Sequence, residues 1–222
     1  METIESHGLR DQEALWSDFL AMVDGVVLAV EQGVQALCEG RLELVGPVGD
    51  AEERSDREEH RIEAECLRIL ALYEPVASDL RRLATILKVS RDGERMADRA
   101  DRIARRARKL ATRFGGAIET PEGLHPMALD VLAMVHEARA LLEAHDADRA
   151  RALIAADQAV DRQYRQVRRA IQGRIVDQAD SLEAWLQYLG AARNLERIAD
   201  HAAEIARMIV YLDEGHFPGV RG

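Results

Sequence analysis

Apolar residues recur at spacings of three and four through long stretches without proline, the period of a helix that buries one face. The five prolines stand at 47, 75, 121, 126 and 218, so nothing interrupts 76–120 or 127–217. The pattern predicts six helices, over about 10–39, 48–73, 75–113, 127–144, 148–176 and 181–212. The first should stop near Gly40, a residue at ease in the left-handed conformation, and the third should start on Pro75, whose fixed φ suits a first turn. The segment 114–126 is the one long region rich in Gly, Pro and Thr, and reads as a linker between two halves, 1–115 and 116–222.

The halves repeat. Glu94–Ala104 (ERMADRADRIA) matches Glu196–Ala206 (ERIADHAAEIA) at an offset of 102 residues, and the same offset carries Leu80 and Leu87 onto Leu182 and Leu189. The expected fold class is therefore all-α, two tandem, sequence-related three-helix bundles.

On the third helix the seam Leu80, Leu83, Leu87 continues into Glu94 and then Asp98. On the sixth, Leu182, Trp185 and Leu189 continue into Glu196 and Asp200. The second helix carries Glu52 and Asp56 on a seam that runs back from Tyr73 through Cys66 and Glu59, and the fifth carries Asp157 and Asp161. Antiparallel helices rise equally, about 1.5 Å per residue. Folding about turns near 74–75 and 177–178 therefore sets Asp56 against Glu94, Glu52 against Asp98, Asp161 against Glu196 and Asp157 against Asp200. Each half thus collects four carboxylates at one height. Four such groups need protons or a cation to stay together, and clustered oxygen donors suit iron, zinc, manganese or magnesium. His60 and His201 adjoin the clusters. Against this stands a plainer reading, in which the pairs are solvated faces neutralised by Arg95, Arg99, Arg193 and Arg197. Gly93, beside Glu94, is read as a mid-helix residue that gives the carboxylate room, and Tyr73, Tyr164, Tyr188, Trp16 and Trp185 as core.

The chain has 222 residues, 40 acids against 30 Lys and Arg for a net charge of −10, 47% hydrophobic and only 4% aromatic residues. That composition excludes disorder and disfavours a β fold and a nucleic-acid surface. Much of the excess lies in 50–65, where eight acids face three arginines. Cys38 and Cys66 make neither a disulfide framework nor a zinc site. A start without the pattern of a signal peptide and no apolar run of about 20 residues lead to a cytoplasmic expectation. The basic run 102–109 is a solvated helix end or, as an alternative, a phosphate or membrane-surface patch. No Gly-rich phosphate loop and no nucleophile signature appears, so no enzyme is expected.

These motifs together resemble the PhoU family of phosphate-uptake regulators over nearly the whole chain. The resemblance rests on the two E-R-x-x-D helices, on PVASDLR from Pro75, and on Asp157 to Asp161. It implies multinuclear clusters of iron or zinc, with manganese or magnesium as alternatives, on Glu52, Asp56, Glu94, Asp98, Asp157, Asp161, Glu196 and Asp200. It implies negative regulation of phosphate uptake by a protein that links a phosphate ABC transporter to a sensor histidine kinase. A homodimer is expected, with peripheral membrane association as an option. Ala97 and Ala199 stand where that family often has Gly, and Glu52 where it has Asp. The competing readings are a metal-free helical scaffold and, more remotely, a ferritin-like di-metal oxidase, a fold that carries Glu-x-x-His on two helices.

Overall fold

In a computed structural model the described residues are 2–115, 119–177 and 181–218, and they form six long helices with no strand among them. These are α1 (Glu2–Cys38), α2 (Val45–Tyr73), α3 (Ala77–Phe114), α4 (Leu124–Ala144), α5 (Ala147–Asp177) and α6 (Leu182–Glu214), with a short 3-10 turn at Leu42–Leu44. The helix count agrees with the apolar periodicity, and the boundaries differ where proline chemistry decides them. Pro47 and Pro126 lie inside the first turns of α2 and α4, where a missing N–H costs nothing, so both helices begin earlier than predicted. Pro75 does not begin α3. Glu74 closes α2 at φ 45°, Val76 is extended, and Ala77 starts the helix at φ 49°. The first helix also starts earlier, at Glu2, and stops before Gly40 at φ 70° as expected. Gly115 stops α3 at φ 57°, its N–H bonded to the Ala111 carbonyl at 3.0 Å. The linker residues 116–118 and Gln178 of the second predicted turn lie outside the described residues.

Helices α1, α2 and α3 pack against one another, as do α4, α5 and α6. Cross-helix pairs show the directions. Arg61 and Arg68 of α2 reach Asp18 and Asp11 of α1, so those helices are antiparallel. Arg149 and Gln163 of α5 reach Glu137 and Asp130 of α4 in the same opposed order. The bundles then join through equivalent helices, α3 on α6 and α1 on α4. Arg139 of α4 holds Asp24 of α1, and His136 lies 2.9 Å from Glu31. Along the main seam, Arg113 meets Glu183, Arg106 meets Gln187 and Asp92 meets His201, an antiparallel register. That register brings Ala97 nearly level with Ala199, its own repeat-mate. Pairing of α3 and of α1 with their equivalents is the signature of a pseudo-two-fold axis between the halves.

One apolar core runs through both halves. Its centre is built from small residues: Ala97, Ala100 and Ala104 on α3, and Ala199, Ala202 and Ala206 on α6, are all fully buried. Removing Cβ branches lets helix axes approach closely and gains dispersion contacts over a long seam. The aromatic expectations divide. Trp185 and Tyr188 are buried in the core, whereas Trp16, Tyr73 and Tyr164 pack at its edge.

The heptad seams are straighter in sequence than in space. Leu80 is 46% and Leu182 43% exposed, whereas Leu83 and Trp185 are buried. A strict seven-residue spacing drifts by about 20° per heptad on a straight helix, so positions two heptads away rotate out of the core. The same drift sets Glu94 and Glu196 at the margin of the buried face.

Candidate metal-binding acidic faces

The four acidic pairs come within electrostatic reach of one another across their helices, in the order the antiparallel geometry requires. Glu94 on α3 feels the charges of Asp98 on its own helix and of Asp56 and Glu59 on α2. Glu52 on α2 feels Asp101 and Asp98 on α3, then Asp56. In the second half, Asp157 on α5 feels Asp200 on α6 and Asp161, and Glu196 feels Asp200 and Asp161. Burial first, and these like charges second, push Glu52, Glu94, Asp157 and Glu196 above the ordinary carboxylate range. The helices deliver this because i and i+4 side chains share a face, and because α2 against α3 and α5 against α6 are adjacent antiparallel pairs.

Arginines answer part of that charge. Arg102 donates to Asp98 at 2.9 Å, and Arg99 lies 3.5 Å from it. Arg197 holds Asp200 at 3.0 Å and lies 3.6 Å from Glu196. Arg95 and Arg193 act only at longer range, on Glu94 and Glu196. Asp56, Glu52, Asp157 and Asp161 have no ion pair with arginine among the described residues.

Two carboxylates and an arginine add to the first face beyond the expected quartet. Asp101, buried one turn beyond Asp98, is held by Arg105 at 2.6 Å and is the largest charge influence on Glu52. Glu59 adds to the charge on Glu94. Asp101 lies at i+3 from Asp98, so the helical period alone could have flagged it. In the second half Glu204 of α6 adds to the charge on Asp157.

The histidines part company. His60 is exposed, with Nδ1 2.9 Å from the Asp56 carbonyl and 3.3 Å from Glu59, which raises its pKa through that carbonyl first. His201 turns from the second face to the seam, its Nδ1 3.0 Å from Asp92 of α3. Gly93 does not open space for Glu94. An added Cβ would meet Val26 at 3.6 Å and Met22 at 3.9 Å, ordinary contacts on α1 and not on α2, towards which Glu94 lies. A Glu-x-x-His spacing occurs once, at Glu122 and His125, with Glu122 before the start of α4, so it supplies no helix-borne ligand pair.

A scan against family models matches the PhoU domain twice, over residues 19–107 and 124–209. The chain belongs to the PhoU family. It is 34% identical over 206 residues to the phosphate-specific transport system accessory protein PhoU homolog of Pseudomonas aeruginosa, covering 91% of this chain and 84% of the relative. The homolog of Deinococcus radiodurans is 32% identical over 207 residues, with 90% and 96% covered. Among solved structures, PhoU from Pseudomonas aeruginosa superposes with a TM-score of 0.87 at 34% identity, covering 93% of this chain and 99% of that one. The phosphate transport system regulatory protein PhoU from Streptococcus pneumoniae gives 0.86 at 28%, with 96% and 100% covered. The all-α architecture of two tandem three-helix bundles expected from the repeat is thus the PhoU fold.

The donors at each face are of the chemical type that hard or borderline cations take. Each quartet is all oxygen, half-buried in the main, and already self-repelling, the condition that a hard or borderline cation relieves. Among the described residues no three His, Cys, Asp or Glu side chains are arranged to hold a single ion, and a cation taking Asp98 or Asp200 would compete with Arg102 or Arg197 for it. Exposed carboxylate–arginine pairs are worth about 0–1 kcal/mol, a small cost for that exchange.

Proposed function

We propose that this chain is a metal-binding, non-enzymatic regulator of phosphate homeostasis that restrains phosphate uptake and phosphate-starvation signalling. Its relatives are named accessory proteins of the phosphate-specific transport system, and it shares their fold over nearly its full length. It would link a phosphate ABC transporter to a sensor histidine kinase, in the cytoplasm at the inner face of the membrane and as a homodimer. No helix among the described residues is long and apolar enough to cross a membrane. The halves 1–115 and 116–222 would each form one regulatory unit with one cation site, of iron or zinc. The observation that carries the reading is the duplicated, facing carboxylate quartet on a PhoU fold.

A metal-free scaffold is the second reading, favoured by Arg102 on Asp98 and Arg197 on Asp200. Deletion of the gene tests the regulatory claim. Phosphate-starvation genes should rise in phosphate-rich medium, and the wild-type chain supplied in trans should silence them. Unchanged expression on deletion contradicts it. A chain carrying Glu94→Gln and Glu196→Gln that silences as well as wild type favours the scaffold.

A further inference from the structure

A groove of about 710 Å³ runs along the α3–α6 seam, bordering the acidic faces through Arg99, Arg102 and Arg197. Helix α3 lines it with Arg95, Arg99, Arg102 and Arg106, at spacings of three and four that make one stripe about 16 Å long. Helix α6 adds Arg193 and Arg197, one turn apart, and α5 adds Arg168. Among the described residues no carboxylate lines the groove, and none lies within 4.0 Å of Arg95, Arg168 or Arg193. The Nε of Arg99 is buried without a hydrogen-bond partner. Arg106 is half-buried, donates to Gln187 at 3.0 Å, and is held below its ordinary basicity by burial and by Arg102. Its guanidinium fills the place where a Cβ on Gly190 would stand, so glycine there is what lets the arginine cross α6.

Seven guanidinium groups share one concavity, Arg99, Arg102 and Arg197 answered in part by Asp98, Glu196 and Asp200 at its rim, and an anion of matching charge density removes the repulsion that remains. We propose that this groove binds a short soluble anion carrying several phosphoryl groups in a row. The lining offers donors almost throughout: arginine forks that match phosphoryl oxygens bidentately, with Asn194 and His201. An extended acidic peptide would leave its own N–H groups without acceptors on such a wall. A long nucleic acid would run out of the groove into the field of a chain with net charge −10. One orthophosphate is too small to engage a stripe of this length. A compact chain of phosphoryl groups has only acceptors and fits within the groove. Inorganic tripolyphosphate and a nucleoside triphosphate share that chemistry, the latter adding a ring for Leu186, Leu189 and Tyr164.

The test is calorimetric titration of the full chain, stripped of metal, with tripolyphosphate, ATP and orthophosphate at 0.15 M salt, about the physiological ionic strength. Tripolyphosphate should bind, and orthophosphate should bind at least about tenfold more weakly. Arg95→Gln with Arg193→Gln removes two exposed groups that hold no ion pair, and should weaken tripolyphosphate at least about tenfold with helicity and Tm retained. Arg108→Gln, outside the groove, should change nothing. Equal affinities for ATP and tripolyphosphate assign the site to the phosphoryl chain alone, and tighter ATP assigns it to a nucleotide. No binding of either, orthophosphate as tight as tripolyphosphate, or full affinity in the double variant overturns the proposal.

Discussion

Gly33 sits in the C-terminal part of α1, where its missing Cβ lets α1 lie on α3. A Cβ built there falls 3.0 Å from the Ala100 carbonyl oxygen and 3.5 Å from its Cα. Both are backbone atoms of a helix, so they cannot swing aside as a side-chain tip would. Gly25, two turns earlier on the same helix, has nothing within 4 Å of the equivalent point. Each Gly→Ala change gains about 1 kcal/mol of helix propensity. At Gly33 overpacking costs about 1–3 kcal/mol against it. Gly25→Ala should therefore stabilise by about 1 kcal/mol, while Gly33→Ala should fall below it by about 1–3 kcal/mol. With about 2–4 °C per kcal/mol for a chain of this size, the two variants should melt roughly 2–12 °C apart. Thermal unfolding followed by circular dichroism, with urea midpoints as a second measure, reads the difference directly. Gly33→Ala melting at or above Gly25→Ala would refute the close approach of α1 to α3.

Three further outcomes follow from the packing and the charge. Gly93→Ala should stabilise by about 1 kcal/mol, because its Cβ meets only ordinary contacts at Val26 and Met22, and a lower Tm would show that the room is needed after all. Leu141→Ala, which truncates a fully buried side chain of α4, should cost about 2–5 kcal/mol in urea unfolding, and a cost below about 1 kcal/mol would place Leu141 outside a tight core. Glu94 is raised above its ordinary 4.5 by burial and by Asp98 and Asp56, so the folded chain keeps a proton there that the unfolded chain releases. Its contribution is favourable at acid pH and is lost as pH rises through and above 4.5, so in chelator the Tm advantage of Glu94→Gln over wild type should grow between pH 4.5 and 7, and a constant or shrinking advantage contradicts the crowding.

The helices and the acidic faces were legible because both rest on local spacing. Stretches without proline mark the helices, and i, i+4 acids on adjacent antiparallel partners can come level in only one way. Pro75 misled at the start of α3 because the turn needs Glu74 and Ala77 at positive φ, which no residue type announces. Leu80 and Leu182 misled because a heptad seam drifts on a straight helix. The arginine groove was legible only in part, since the basic run 102–109, read alternatively as a phosphate patch, supplies Arg102 and Arg106. Its α3 stripe and its α6 arginines meet only through the register that pairs Arg106 with Gln187, between residues more than eighty apart. In sequence those arginines look like partners for the neighbouring acids, and Arg99, Arg102 and Arg197 do serve as such.

The central claim is that the two carboxylate faces hold cations. Elemental analysis of the full chain purified without chelator, followed by calorimetric titration with Zn²⁺ and Fe²⁺, tests it most directly, with Asp98→Asn and Asp200→Asn combined as the variant. Iron or zinc should accompany the wild-type chain, and the variant should lose most of it while keeping its helicity. A wild-type chain without transition metal that binds added metal no better than the variant would contradict the claim.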